Sequence, residues 1–458
     1  MKILTYSKDI DSLIALENWE ELQKVLESVI RYHKANLLPH YEKMEKYFNA
    51  ETAILDRSKE DPTLPNNKAV NDYAGLITTV GAGYFIGAPV KYTVKDEYKD
   101  QLAEIQEVLD ANDEQVENLY LAMEAGHKGA TFELVYQDEQ AQTRFKELDA
   151  KQTVMIYDDK LEAKPLFAIR YFESNDIMEK ANSELLNVEI YTAIYKVMLQ
   201  LESYKIKAGI EIDENPFNEV PVIEYLNNKY RKGDFENVIT LIDAYDKTIS
   251  DSMNDIEYFS DAYLVLKNLG GTEEEDIQDM KKSRVIYIEN DGDARFLLKQ
   301  GDAAPIENHK KTLNDNIHKF SHTPDLRDEN FANNVSGVAM KYKLWGLEQK
   351  TTFKEAAFKK ALQKRLRLIG QVINAKKADS KAFDTSWIQI SFTRSIPENW
   401  DELLKMVQGL RGMLSDQSIL SYLPNVTDVD YEIEMREKER DNMGFKVDPY
   451  NVTKLPLE

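Results

Sequence analysis

Residues 322–373, HTPDLRDENFANNVSGVAMKYKLWGLEQKTTFKEAAFKKALQKRLRLIGQVI, restrict the fold of this chain more than any other stretch. The first part is polar and carries Pro324, Asn330, Asn333, Asn334 and the pair Ser336-Gly337, which predicts an exposed loop. From Val338 the pattern predicts one long helix. Phe358, Leu362, Leu366, Ile369 and Ile373 recur every three or four residues and fall on one face. Lys360, Lys364 and Arg367 fall on the opposite side. Between Lys341 and Lys381 twelve Lys/Arg stand against three Asp/Glu, a local charge of +9 in a chain whose formal charge is −23. Such a helix needs an apolar partner along its stripe. Its cations need either solvent or the acidic segments that the rest of the fold supplies.

The overall acidity argues against a protein that grips nucleic acid by general electrostatics, since that affinity comes from neutralising phosphates with Lys and Arg. The 458 residues suffice for two or three domains with a sizeable core. The absence of cysteine excludes a disulfide scaffold and thiolate metal sites. The first residues, MKILTYSKDIDSL, lack the apolar core of a signal peptide. No run approaches the roughly eighteen apolar residues that cross a bilayer, so the expectation is an intracellular protein with no membrane partner.

Along the chain, residues 10–60 predict helices through Leu13, Leu16, Trp19, Leu22 and Val25, and 56–66 predict a loop. A helix is expected from about Asn67, with Val70, Tyr73, Ile77, Val80 and Tyr84 on one side, ending at Gly87 and Pro89 before a strand KYTV. Residues 98–125 read as helical. From Ala130 to about Lys205 short alternating runs predict an antiparallel sheet or meander, which VPVIEYLNN closes. Asp234 is expected to cap a helix running to about Leu269. An insertion over 272–305 carries two strands, RVIYIE and RFLLK, with a turn at Asn290-Asp291-Gly292. A shorter helix then shows Leu313, Ile317 and Phe320. The strand WIQISF and C-terminal helices complete an α+β chain, whose charged stretch 427–442 predicts a solvent-facing helix.

Catalytic motifs are scarce. The dipeptide Gly-Lys is absent, which excludes a phosphate-binding loop of the GxxxxGK type, and neither G-x-S-x-G nor H-E-x-x-H occurs. Gly81, Gly83 and Gly87 end a helix instead of opening one, so they predict close packing and not a dinucleotide site. His318 and His322 have the spacing of two metal ligands, but no third ligand accompanies them and Pro324 places His322 at a helix end. No metal or cofactor site is expected.

The segment PDLRDENFANNVSGVAMKYKLWGLEQK resembles the loop-then-helix signature of tailed-bacteriophage portal proteins, specifically the SPP1 gp6-like branch. NKAVNDYAGLITTVGAGYFIGAPVKY is similar to that family's N-terminal helix ending in aromatic-x-Gly-x-Pro-Val. Weaker likenesses, GATFELVYQD, PLFAIRYF, VPVIEYLNN and SILSYLPNVTDVDYEIE, follow in the expected order. The resemblance implies a wing (1–235 with 378–395), stem helices 236–269 and 306–321, and a clip between them at 270–305. It further implies a tunnel loop (322–336), a long wing helix (337–377) and a crown (396–458).

It also implies a non-enzymatic ring, usually a dodecamer, at one capsid vertex of the virion, assembled in the host bacterial cytoplasm. Double-stranded DNA enters and leaves through such a ring without sequence specificity. Partners implied are further copies of the chain, a terminase large subunit that does the ATP-driven work, head-completion adaptors, scaffold and major capsid protein. On this reading Asn330, Asn333, Asn334, Ser336, Lys341 and Lys343 lie by the DNA channel. Lys360, Lys364 and Arg367 face acidic segments of a neighbouring subunit. A rival reading, an intracellular metal-dependent enzyme acting on nucleic acid, predicts a small oligomer with divalent-metal-dependent turnover. A third, a head-completion adaptor, fits a chain of this size less well.

Overall fold

The computed structural model describes residues 3–62, 64–173, 185–207, 209–260, 263–267, 293–297, 304–326, 337–376, 383–395, 407–420 and 429–442, with isolated positions 275, 278, 423 and 426. Strand β1 (Leu4–Thr5) precedes helices α1 (Ile10–Ala15), α2 (Trp19–Tyr32) and α3 (Leu38–Phe48), the last two joined by a π-helical turn. After a 3-10 turn at Ala53–Asp56 come α4 (Tyr73–Ile86), β2 (Lys91–Thr93), α5 (Lys99–Asp110) and α6 (Glu114–Lys128). The strand region holds β3 (Ala130–Gln137), β4 (Thr143–Leu148), β5 (Thr153–Tyr157), β6 (Pro165–Glu173), β7 (Leu185–Tyr191), β8 (Tyr195–Glu202), β9 (Lys205–Ile206), β10 (Glu211–Glu214) and β11 (Val222–Leu226). Then follow α7 (Ile239–Ser260), β12 (Tyr263–Lys267), β13 (Asp293–Leu297), α8 (Ala304–Ser321), α9 (Gly337–Lys343) and α10 (Trp345–Lys376). The chain continues through β14 (Gln389–Ser391), α11 (Asp416–Leu420) and α12 (Val429–Asn442).

The chain divides into two compact units, Met1–Asp328 with Lys343–Ser395, and Glu329–Tyr342 with Ile396–Glu458. In the first, side-chain alternation builds stacked layers. Val154, Ile156, Phe167, Ile169, Val188 and Ile190 point to one face of a sheet ordered β1-β5-β6-β7-β8-β10, where Leu22, Leu26 and Ile30 of α2 cover them. Met155, Tyr157, Ala168 and Tyr191 point to the other face, against Phe132, Leu148 and Val222 of a second sheet ordered β11-β3-β4. The far side of that smaller sheet is covered by α6 and α10 through Leu121, Val135, Phe145, Tyr225, Phe358 and Leu362. In the second unit, Arg436 on α12 pairs with Asp416 on α11 at 2.9 Å.

Several boundaries differ from the sequence reading, each for a local reason. The expected helical run through Leu16 is broken: Asn18 accepts a hydrogen bond from the Glu21 amide and starts a new helix, leaving Leu16 exposed. The helix expected from Asn67 begins only at Tyr73, because Asp72 accepts from the Gly75 amide while residues 67–71 are hydrogen-bonded to α7 instead. The 98–125 helix is two, parted at Asp113 with φ +49°. The expected meander is shared between two sheets: β3 and β4 pair with β11, while β5–β8 form the larger sheet with β1 in parallel. KYTV and WIQISF are strands, and they pair with each other.

The helix expected to reach Leu269 is followed by a strand, Tyr263–Lys267, which pairs antiparallel with Asp293–Leu297. RVIYIE and the Asn290-Asp291-Gly292 turn lie outside the described residues. The single helix expected from Val338 is interrupted at Leu344, beside the division between the two units. Among the described residues no helix is long and apolar enough to cross a membrane.

Candidate functional site

The long helix α10 spans 32 residues, about 48 Å at 1.5 Å per residue. Its apolar stripe is buried as the spacing requires, with Phe358, Leu362, Leu366 and Ile369 almost wholly covered. Its basic residues are bound mainly within the chain.

Near its start, Lys354 Nζ donates to Asp234 Oδ2 at 2.5 Å and Lys350 Nζ lies 3.0 Å from Oδ1. Asn227 donates to the same carboxylate at 3.1 Å. Burial alone would raise the Asp234 pKa, but the two ammonium groups outweigh it and hold the carboxyl down at about 2. Two cations around one carboxylate leave an unbalanced positive charge, and burial with the nearby Lys354 charge pushes Lys350 below the usual lysine range. Asp234 is therefore a buried counter-ion, not the helix cap expected from the sequence; α7 begins after a separate 3-10 turn at Glu236–Val238. Gly81 and Gly126 make room for it: a Cβ on either would stand 3.3 or 3.1 Å from its Oδ2.

One helical segment further on, Arg365 is completely buried. Its guanidinium donates to both oxygens of Glu133 on β3, at 2.9 and 2.5 Å, and to Asn118 on α6 at 2.7 Å. It lies over the Phe145 ring, 4.4 Å from the centroid. The Tyr225 hydroxyl donates to Glu133 at 2.9 Å. Burial pushes the Glu133 carboxyl up while the guanidinium opposes it; for Arg365 burial opposes the charge and Glu133 outweighs it, holding it more basic than usual.

Of the residues singled out from the sequence, Arg367 and Lys364 have partners within the chain. Arg367 makes a bidentate pair with Glu219 of the same chain, 2.7 Å at each nitrogen. Lys364 Nζ donates to the Val222 carbonyl on the free edge of β11 at 2.8 Å, and burial pushes it down to about 8. Lys360 is exposed. Lys341 and Lys343 lie on α9, and Asn330, Asn333, Asn334 and Ser336 lie outside the described residues. Arg394 joins the helix start to the β14 region by donating to Glu348 at 2.9 and 3.0 Å and to Glu355 at 2.7 Å.

Arg365 escaped the sequence reading, although a signal existed. It falls three residues after Leu362 and four before Ile369, inside the apolar stripe, and Glu133 interrupts the apolar run TFELVY. A charge of each sign at core positions predicts a buried pair.

His322 falls outside the helix that carries His318. His318 Nδ1 is 3.1 Å from the Thr323 carbonyl, and His322 has φ +58° as the chain leaves α8. No cluster of three potential metal ligands occurs among the described residues.

α7 and α8 form a second feature of functional interest. Ile239 and Ile242, at the start of α7, share one apolar cluster with Ile317, near the end of α8, so the helices run antiparallel. Both are rooted in the body through Met44, Tyr47, Tyr73 and Ile77, and the β12–β13 ladder lies between them in sequence.

The sequence model of the family described as "Phage portal protein, SPP1 Gp6-like" matches residues 27–443. The chain belongs to this family. It is similar to the portal protein of Clostridium phage phiCD119, 24% identical over 422 residues that cover 87% of this chain and 91% of that protein. It is also similar to the portal protein of Bacillus phage SPP1, 23% identical over 404 residues covering 83% of this chain and 77% of that protein. A tailed-phage portal, with the ring and the DNA-packaging role that portals have, follows from that membership. The family is a structural one whose members are virion components with capsid and packaging partners.

Proposed function

We propose that the chain closes into a dodecameric ring at one capsid vertex and serves as a passive conduit for double-stranded DNA. Residues 1–235 and 378–395 make the wing, α7 and α8 the stem, and residues 270–305 the clip. Residues 322–336 make the tunnel loop, 337–377 the long wing helix and 396–458 the crown. The observation that carries this reading is the antiparallel pair α7–α8, rooted at one end by Ile239, Ile242 and Ile317 and joined through the β12–β13 ladder. A stem needs two helices that leave and re-enter one body, and a clip needs a small unit at their turn.

Asn330, Asn333, Asn334 and Ser336 present uncharged groups to the duplex, which suits a channel: each phosphate held by Lys or Arg would brake its movement. Lys341 and Lys343 touch phosphate only in passing. Between copies, heterologous contacts close the ring, with Lys360, Lys364 and Arg367 facing the neighbour; the internal pairing of Lys364 and Arg367 leaves Lys360 the largest share. The terminase large subunit and the head-completion adaptors dock at the clip, while scaffold and major capsid protein surround the wing. The ring assembles in the bacterial cytoplasm and remains in the virion.

Negative-stain electron microscopy with light scattering of the full-length protein tests this. Twelve chains of 52.9 kDa give an annulus of about 635 kDa. A protein that stays monomeric or dimeric under every condition, with metal-dependent turnover on nucleic acid, refutes the proposal in favour of the enzyme.

A further inference from the structure

α7 is held in two chemically different ways along its length. Its root is apolar: Ile239 and Ile242 are buried with Ile317 of α8. Beyond the root the helix presents a polar ladder, Asp243, Asp246, Ser250, Asn254 and Glu257, one residue per turn over roughly 21 Å. Two limbs of the segment between α3 and α4, residues 52–57 and 66–71, lie along this ladder. Thr52 donates to Asp246 at 2.6 Å, and Arg57 donates to Asp251 at 2.6 Å. On the returning limb the Asn71 amide donates to Asp246 at 2.9 Å and the Ala69 amide to Ser250 at 2.9 Å. The Asn67 amide donates to Asn254 at 2.7 Å, and its side chain donates to Glu257 at 2.6 Å. Arg57 ties the limbs together through the Asn67 carbonyl, at 2.6 Å.

Asp246 and Ser250 are completely buried and Asn254 almost so, whereas the large apolar side chains of α7 from 246 to 257 are not: Ile249 is half-buried, and Met253 and Ile256 are 43% and 70% exposed. From Ala304 to Thr312 α8 is exposed apart from half-buried Lys310, so this stretch buries no side chain against the body. The Nδ2 of Asn254 is buried without a partner among the described residues, a spare donor within the ladder.

We propose that residues 52–57 and 66–71 form a releasable polar strap that sets how far the outer part of the α7–α8 pair swings from the body, with the pivot at Ile239, Ile242 and Ile317. Release exchanges internal hydrogen bonds for bonds to water, hydrates Asp246 and disturbs Ile54, the one buried apolar side chain of the two limbs, whereas peeling the root would expose a whole apolar cluster. Each lost bond shifts the equilibrium toward the open form by roughly a few-fold to tenfold, so partial opening is accessible where global unfolding is not. The ladder also repeats an acceptor at nearly every turn, so the limbs meet a similar set of groups after a shift of one turn. The strap is a property of the chain itself and stands whether or not the helices line a channel.

Hydrogen exchange of the full-length protein, read by mass spectrometry, tests it with the double variant Arg57→Ala/Asn67→Ala. The backbone amides at 67, 69 and 71, which donate to α7, are expected to exchange roughly ten- to a hundred-fold faster while those of 239–245 stay unchanged. No acceleration at these three amides, or an equal acceleration at the root of α7, overturns the proposal. Because the chain has no cysteine, the variant Ala69→Cys/Ser250→Cys provides an independent arm. Oxidation is expected to slow exchange of the amides at 67 and 71 and reduction to restore it. Failure of the pair to crosslink, or a crosslink without effect on exchange, also overturns it.

Discussion

Replacing Arg365 with Met keeps most of the side-chain volume and removes the charge. Glu133, wholly buried, then loses the two guanidinium bonds of 2.9 and 2.5 Å and keeps only the Tyr225 hydroxyl. Breaking a buried pair from one side costs about 3–5 kcal/mol, because the remaining charge is neither solvated nor paired. At ~2 °C per kcal/mol for a large unit, the unfolding midpoint in scanning fluorimetry at pH 8 should fall by ~6–10 °C. The cost is conditional on pH. Burial already pushes the Glu133 carboxyl up, so without Arg365 it takes up a proton more readily. The deficit should therefore grow as pH rises above the ordinary glutamate range and be smaller at pH 5 than at pH 8. The double variant Arg365→Met/Glu133→Gln removes both charges and should recover most of the loss. A single variant that loses less than about 1 kcal/mol, or a double variant at least as unstable as the single one, would refute the assignment of this pair as the fixing point of the long helix.

Asp234 gives a second pH test of opposite sign. Its carboxyl is held at about 2, so its contribution of about 2 kcal/mol is fully present above pH 4 and is lost as pH falls toward 2. Asp234→Asn should be less stable at neutral pH, with two lysines unpaired, and its acid-unfolding profile should lack that component; an unchanged profile contradicts the reading. Gly129 ends α6 at φ +89°, and a Cβ there would stand 2.4 Å from the Arg231 carbonyl oxygen. Gly129→Ala should cost at least about 2 kcal/mol, and a midpoint shift under about 1 °C in fluorimetry would show that the turn relaxes freely.

Much of this molecule follows from periodicity. The stripe Phe358–Leu362–Leu366–Ile369 is buried as its spacing dictates, and the alternating runs after Ala130 are strands. Periodicity could not assign β3 and β5 to different sheets, because consecutive strands with the same alternation pair equally well in either arrangement until the layers meet. The fate of the basic residues was hidden for a similar reason. Net charge along a helix says nothing about which carboxylates the tertiary fold delivers, and Asp234, Glu133 and Glu219 lie 120, 232 and 148 residues before the cations they meet. Asp234 also occupies a position where local grammar favours a cap, and the pull of two lysines overrode it. The strand at Tyr263–Lys267 was missed because YLVL continues the apolar content of α7 without a glycine or proline to mark the change.

The small sheet carries a further implication. On its β4 side the outward amides of Phe145 and Glu147 donate to Asn112 and Glu117 of the same chain, and on its β11 side the Val222 carbonyl is taken by Lys364. Each backbone group occupied in this way is one fewer for an approaching polypeptide to pair with. At these two borders strand addition between copies is therefore disfavoured, and any union there must be written in side-chain shape and charge, which permits a definite geometry and a definite stopping point.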